Sequence, residues 1–220
     1  MKKSKRLLKL LELVPDGSRN VFDVGCDHGI LSALLINEGK AEKVYASDIS
    51  ELSLQKTKIL KKKLKIDDKI ECIVSDGLNE FDKDVESDCV IIAGMGGNEI
   101  SKILSNIKYY SKLKSFLFQP AQDFYILRNY LSNAGFKIIK DEIIEDKNKF
   151  YANILCSKAE KSEKLSSLQC YFGKFFENDI SVDFVSFVNY TYTKLFARKD
   201  YLNQEDAEKL EFCKKFIKKV

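Results

Sequence analysis

The sequence lacks the usual devices for holding a metal or a redox pair. Its six cysteines (Cys26, Cys72, Cys89, Cys156, Cys170 and Cys213) form no C-x-x-C pair, which argues against a zinc knuckle or a thioredoxin-like motif. No run approaches the roughly 18 apolar residues that a membrane span needs. The basic N-terminus is not expected to act as a signal peptide either, because Lys9 and Glu12 break its apolar run and no small-residue cleavage site follows. Internal repeats and low-complexity tracts are absent. Charge is nearly balanced at a formal +4, which permits a polyanionic partner without arguing for one. What remains is an ordinary soluble composition, 45% hydrophobic and 32% charged over 220 residues. That is enough for one core with an appendage, or for two small domains. The expected location is the cytoplasm, with the cysteines as small buried hydrophobes in a reducing medium. No metal, membrane or obligate protein partner is expected.

Leu7, Leu10, Leu11 and Val14 recur at helical spacing near the start. Beyond them, apolar strand patterns at 21–25, 43–47, 70–74, 88–93 and 115–118 alternate with helical patterns at 30–37, 51–64, 99–108 and 123–133. This alternation predicts βαβ units and a parallel sheet. Two further strands, 137–145 and 151–156, have no room for a helix between them and should pair as an antiparallel hairpin at one edge. The polar seam Ala159-Glu160-Lys161-Ser162-Glu163-Lys164 suggests a boundary. Residues 1–158 would form a Rossmann-like domain on a seven-stranded, mostly parallel sheet, and 159–220 a small helical C-terminal domain. Tyr171, Phe172, Phe175, Phe176, Phe184, Phe187, Val188, Thr191, Leu195, Leu210, Cys213, Phe216 and Ile217 fall at helical spacing there. Core packing is the ordinary reading of such aromatics, and a base-stacking platform the alternative.

The first strand runs into Asp23-Val24-Gly25-Cys26-Asp27-His28-Gly29 and then a helix. A glycine at that strand end lets the backbone turn sharply and approach a nucleotide-like ligand. Asp27 stands at the second glycine position of G-x-G-x-x-G and the third glycine is missing. A pyrophosphate disfavours a carboxylate there, whereas a sulfonium donor with an amino-acid tail tolerates it. The residues therefore suit S-adenosylmethionine better than a dinucleotide, although a glycine turn with Asp27 capping the next helix remains an alternative. Asp48, 23 residues after Gly25 and followed by Ile49, can accept from both ribose hydroxyls. Asp76-Gly77 can read an adenine amino group. Three acid-bearing turns then lie at the carboxyl ends of successive strands, the edge where open α/β sheets bind ligands. The fourth strand leads into Gly94-Met95-Gly96-Gly97, whose small residues leave room for a planar base. A parallel sheet finished by a hairpin is also the silhouette of class I methyltransferases.

Taken together, Asp23-x-Gly25-x-Asp27-His28, Asp76-Gly77-Leu78, Ile92-Ala93-Gly94-Met95-Gly96-Gly97, Gln119-Pro120, Leu127-Arg128-x-x-Leu131, Gly135-Phe136 and Glu145-Asp146-Lys147…Tyr151 closely resemble the bacterial tRNA (adenine(22)-N1)-methyltransferase family over residues 4–157. A weaker echo follows at Tyr171-Phe172-Gly173. The resemblance implies a Rossmann-like catalytic domain, a helical C-terminal domain and methyl transfer from S-adenosylmethionine to N1 of an adenine in tRNA. It also implies that Gly25, Cys26, Asp27 and His28 hold the methionine end, Asp48 and Ile49 the ribose, Asp76 and Gly77 the adenine. Gly94, Met95 and Gly96 would form the methyl-transfer face. The sequence departs from the family pattern at Asp48, where Glu is commoner, and at Lys174, where Pro is commoner.

Neutral adenine N1 carries a lone pair, so no general base is required; Asp27 or the Gly94 carbonyl is the expected group near the exocyclic amine. His28, the sole histidine, is expected to contact cofactor and not to act as a base. RNA contacts are expected from Lys2, Lys3, Lys5 and Arg6, from the lysines of the 56–65 helix, and from Lys214, Lys215, Lys218 and Lys219. Gly97, Gln119, Pro120 and Arg128 complete the substrate-contact expectation. The competing classes are a small-molecule methyltransferase, an RNA-binding protein without catalysis, and a nicotinamide-dependent oxidoreductase.

Overall fold

A computed structural model describes residues 4–82, 84–107 and 109–219. Seven strands, β1 (Ser18–Val24), β2 (Ala41–Asp48), β3 (Ile70–Val74), β4 (Cys89–Ala93), β5 (Phe116–Gln119), β6 (Phe136–Asp146) and β7 (Lys149–Lys158), form one sheet in the order β3-β2-β1-β4-β5-β7-β6. The first five are parallel, and β7 runs antiparallel to both β5 and β6. The sheet order reverses between β1 and β4, which opens a crevice at the carboxyl ends of those strands.

Side-chain alternation along the strands explains the layering. Val21, Cys89, Ile91, Leu117 and Leu155 enter one apolar cluster, together with Leu10, Leu11 and Leu13 of α1 (Lys5–Leu13), Leu34 and Leu35 of α2 (Ile30–Asn37) and Leu54 of α3 (Glu51–Leu64). Their neighbours Phe22, Val24, Val90, Ile92, Phe116, Phe118, Ile154 and Cys156 enter the other. There they meet Ile100 and Leu104 of α4 (Gly97–Ser105) and Leu127 and Leu131 of α5 (Phe124–Asn133). Helix starts follow local chemistry: Ser4 caps α1 by accepting from the Leu7 N–H, and Ser50 caps α3 by accepting from the Ser53 N–H. Lys61, Lys62 and Lys63 occupy the last turn of α3, where a helix favours cations. The fourth helix begins two residues before its predicted start. The Glu99 carboxylate accepts from the Gly96 N–H and extends the first turn back into the glycines; Lys108, its predicted end, lies outside the described residues.

Beyond a coil at residues 159–166 come α6 (Ser167–Phe172), α7 (Val182–Phe196) and α8 (Gln204–Lys219). Phe172, Phe176, Phe184, Phe187, Cys213 and Phe216 share one continuous core with Phe116, Phe118 and Phe136 of the sheet, so most of the tail aromatics are core residues. Phe175, Tyr190 and Phe196 stay exposed. Arg128 ties the two parts together. Its Nε donates to both oxygens of Asp141 and its Nη2 to Oδ1 at 2.8 Å, while Nη1 donates to the carbonyls of Cys170 and Tyr171. The Lys174 N–H also donates to Asp141 Oδ2, at 2.7 Å.

Candidate functional site at the carboxyl edge of the sheet

A cavity of about 750 Å³ opens where β1, β2, β3 and β4 end and runs on beneath α4 to Phe22, Val85 and Leu113. Gly25, Asp48, Ile49, Asp76, Gly77 and Met95 line it, together with Ser75, Leu78, Glu99 and Ile103. The turn after β1 is built from backbone. The N–H groups of Gly25 and Cys26 both donate to the Ser47 carbonyl at 2.8 Å. Gly25 has φ +72°, and a Cβ there would lie 2.2 Å from Met95 Cε. The left-handed backbone favours glycine, and a side chain there would push the end of Met95 into the cavity.

Asp27 continues the turn at φ +50°, a conformation uncommon outside glycine. Its N–H donates to Asp48 Oδ2 at 3.0 Å, and the Ser50 N–H donates to Oδ1 at 2.8 Å. The Asp48 carboxylate is thereby fixed from both sides and keeps free lone pairs for hydroxyl donors. Asp27 does not cap α2: the cap position is Gly29, which offers no side chain, so that alternative reading of Asp27 falls. The Asp27 carboxylate is largely exposed, 3.3 Å from His28 Nε2. Lys56 Nζ approaches the same ring nitrogen at 2.7 Å. One nitrogen cannot both accept from Lys56 and donate to Asp27, so the two contacts compete for it.

Beneath this turn Asp23 is buried, and Ser32 Oγ donates to its Oδ2 at 2.5 Å. Burial pushes its carboxyl up to about 6; the Ser32 hydrogen bonds oppose the shift, and the nearby Asp48 charge adds to it. Cys26 packs against Thr57 Oγ1 at 3.8 Å, and burial pushes its thiol up, which removes it as a nucleophile.

At the end of β4, Gly94 is exposed with φ +85°, and its N–H donates to the Gln119 carbonyl. The Arg6 guanidinium reaches to 3.9 Å of the point where a Gly94 Cβ would stand, and it lies over the Tyr151 ring, 5.4 Å from its centroid. Gln119 Nε2 donates to the Arg6 carbonyl at 3.0 Å and to Asn153 Oδ1 at 2.7 Å. The start of α1 is thus moored beside the glycine face.

Four expected substrate contacts are corrected. Arg128 is fully buried, with its donors taken by Asp141 and the tail carbonyls, so it is a structural clamp. Gln119 is buried and anchors α1; Pro120 is buried behind it. Gly97 is buried where α4 meets α5, because a Cβ there would lie 2.2 Å from the Asp123 carbonyl oxygen. Lys5 remains at the surface but pairs with Asp183 of α7 at 2.6 Å. Lys2 and Lys3 lie outside the described residues. The sequence reading missed Thr57 and the cavity face of α4; it had Lys56 only among the lysines of the 56–65 helix and Tyr151 only within the family pattern, without their contacts to His28 and Arg6. The spacing of Glu99, Lys102, Ile103 and Asn106 was a legible sign of that face, since all four line the cavity. No group of three His, Cys, Asp or Glu among the described residues is placed to hold a metal, and no described helix is long and apolar enough to cross a membrane.

Known proteins share this sequence pattern and fold. The tRNA (adenine(22)-N(1))-methyltransferase of Bacillus subtilis is 29% identical over 164 residues, spanning 73% of this chain and 67% of that protein. The crystal structure of Streptococcus pneumoniae Sp1610 in complex with S-adenosyl-L-methionine superposes with a TM-score of 0.86 at 28% identity, over 97% of this chain and 99% of that one. M. capricolum TrmK in complex with S-adenosyl-homocysteine covers 99% of both chains with a TM-score of 0.83; at 24% identity, this likeness speaks for the fold. A family model described as a methyltransferase domain matches residues 3–154, and the chain belongs to that methyltransferase family.

Proposed function

We propose that this protein transfers a methyl group from S-adenosylmethionine to N1 of an adenine in tRNA. The observation that carries the reading is the gathering of Gly25, Asp48, Asp76 and Met95 around one cavity, with the exposed Gly94 next to Met95 in the chain. A volume of about 750 Å³ suits a nucleoside with an amino-acid tail. The twice-anchored Asp48 carboxylate fits a ribose diol, and Asp76 with Gly77 fits an adenine edge. The turn from Gly25 through Cys26 and Asp27 to His28 fits the methionine end. The B. subtilis relative's name supplies the acceptor.

When bound, the cofactor supplies an electrophilic methyl group on a sulfonium. The chain's own work is then alignment. Gly94 and Gly96 leave a flat approach for the ring, with Met95 half-buried between them. Adenine N1 attacks through a neutral lone pair, so no residue has to remove a proton first. Positive charge then develops on the ring, and a fixed acceptor near the exocyclic amine stabilises it. The exposed Asp27 carboxylate and the Gly94 carbonyl are the proposed acceptors. Arg6, beside Gly94, is the proposed phosphate contact for the nucleotide whose base is drawn from its stack. Residues 159–220 form the proposed tRNA-contacting unit, joined to α1 through Lys5 and Asp183.

The reading is tested by incubating the protein with unmodified tRNA and labelled cofactor, then digesting the product to nucleosides. Label in 1-methyladenosine supports it. Label in another nucleoside, or none, overturns it.

A further inference from the structure

We propose that the tip of the β6–β7 hairpin grips the RNA backbone beside the extruded adenine; this deepens the tRNA reading and rests on it. Because β7 is antiparallel to both neighbours, β6 runs in the same direction as β1–β5. Its end at Asp146 therefore emerges at the edge that carries Asp48 and Gly94. The tip, Lys147-Asn148-Lys149, is exposed, and among the described residues neither lysine has a carboxylate partner. Asp146, the cross-strand neighbour of Lys149, forms no ion pair with it, and Glu145 accepts from the Ser186 hydroxyl at 2.7 Å.

Strand alternation splits the two residues after the tip between opposite faces, and each face carries a cation on an aromatic ring. On one, Arg6 lies over Tyr151 beside Gly94. On the other, Phe150 packs against Tyr190 at 5.3 Å, and Lys194 Nζ sits 4.5 Å from the Tyr190 centroid. The tip lysines stand at the end of the hairpin that carries both Phe150 and Tyr151, so cations and aromatic rings share this end of the hairpin with α1 and α7. An extruded nucleotide needs the phosphates on either side of it held, and a lysine pair meets that need without reading sequence.

The turn itself does not need a lysine. Lys147 and Asn148 have φ +52° and +60°, the left-handed pair of a two-residue hairpin turn. Asparagine or glycine adopts the first of these positions with less strain than lysine. A lysine there gives the turn no help of its own, so relieving it should not destabilise the hairpin.

The test is the double variant Lys147→Asn/Lys149→Gln, beside wild type and Lys194→Gln. Equilibrium binding of unmodified tRNA is measured across a salt series, with KM, kcat, melting temperature and S-adenosylhomocysteine affinity. The double variant is expected to bind tRNA about tenfold more weakly near 0.1 M salt and to raise KM similarly. Its log–log salt slope should fall by about 1.4 to 1.8, for two lost phosphate contacts. Melting temperature should hold or rise, because the turn is relieved, and S-adenosylhomocysteine affinity should not move. Lys194→Gln should lose about threefold in tRNA binding. If wild type methylates tRNA while the double variant binds within twofold and keeps its salt slope, the hairpin proposal is wrong and the function stands. Weaker binding accompanied by a lower melting temperature would also overturn it, as damage to the fold. If wild type neither binds nor methylates tRNA, the functional reading itself fails and this one falls with it.

Discussion

Arg128 and Asp141 face each other with neither side chain exposed, Nη2 lying 2.8 Å from Oδ1. The same guanidinium holds the Cys170 and Tyr171 carbonyls, and the same carboxylate holds the Lys174 N–H. One buried pair thereby fastens the start of the C-terminal helices to the β6 strand. Removing the cation leaves a buried charge and two unpaired carbonyls. We expect Arg128→Met to cost about 3 to 5 kcal/mol in denaturant unfolding and to expose residues 159–175 to protease. Arg128→Lys should recover little, because an ammonium cannot reproduce the planar fork. Wild-type stability in Arg128→Met would contradict this role.

Gly25 and Gly94 separate two effects that a single glycine substitution usually mixes. Alanine at Gly25 meets Met95 at 2.2 Å on a left-handed backbone, whereas alanine at Gly94 meets only Arg6, at 3.9 Å. Gly25→Ala should abolish measurable S-adenosylhomocysteine binding. Gly94→Ala should bind it within about threefold of wild type and lose about 1 kcal/mol of stability to backbone strain. Its turnover should fall by about 100-fold, because the methyl group covers the base approach. Equal loss of binding in both variants would show that Gly94 belongs to the cofactor pocket and not to the acceptor side.

Asp23 gives a pH dependence with a definite sign. Its folded-state carboxyl titrates at about 6, above the ordinary 3.8, because burial opposes the charge. The fold therefore prefers the protonated form. The stability this contributes is fully present below about pH 4 and is lost as pH rises through about 6. The whole swing amounts to about 3 kcal/mol. Asp23→Asn should flatten the stability profile between those limits, in melts followed by circular dichroism. An unchanged slope would remove Asp23 as its source.

The fold was largely legible because the strands alternate strictly between two clusters and the helices follow 3.6-residue spacing. β3, α2 and α3 match their expected limits, helped by local signals such as the Ser50 cap and the lysine-rich last turn of α3. The hairpin was legible from the missing helix between β6 and β7. The acid turns were legible as residues, since strand ends announce themselves. Partnerships were not. Arg128 looks like a surface residue on an amphipathic helix, because its partners, Asp141 and the carbonyls at 170 and 171, are joined to it only by tertiary packing. Gln119 is similar: nothing local shows that its amide anchors Arg6 across 113 positions. Tyr151 was visible as part of the family pattern, but its place under Arg6 comes from tertiary packing between distant parts of the chain.

The most direct measurement is a calorimetric titration of the purified protein with S-adenosylhomocysteine, repeated on Asp48→Ala. Strand ends that converge to hold a sulfonium donor require saturable one-site heat in the wild type. Loss of the carboxylate should weaken it at least tenfold, or about 1.4 kcal/mol. Absence of heat in the wild type, or equal affinity in the two proteins, would contradict the account.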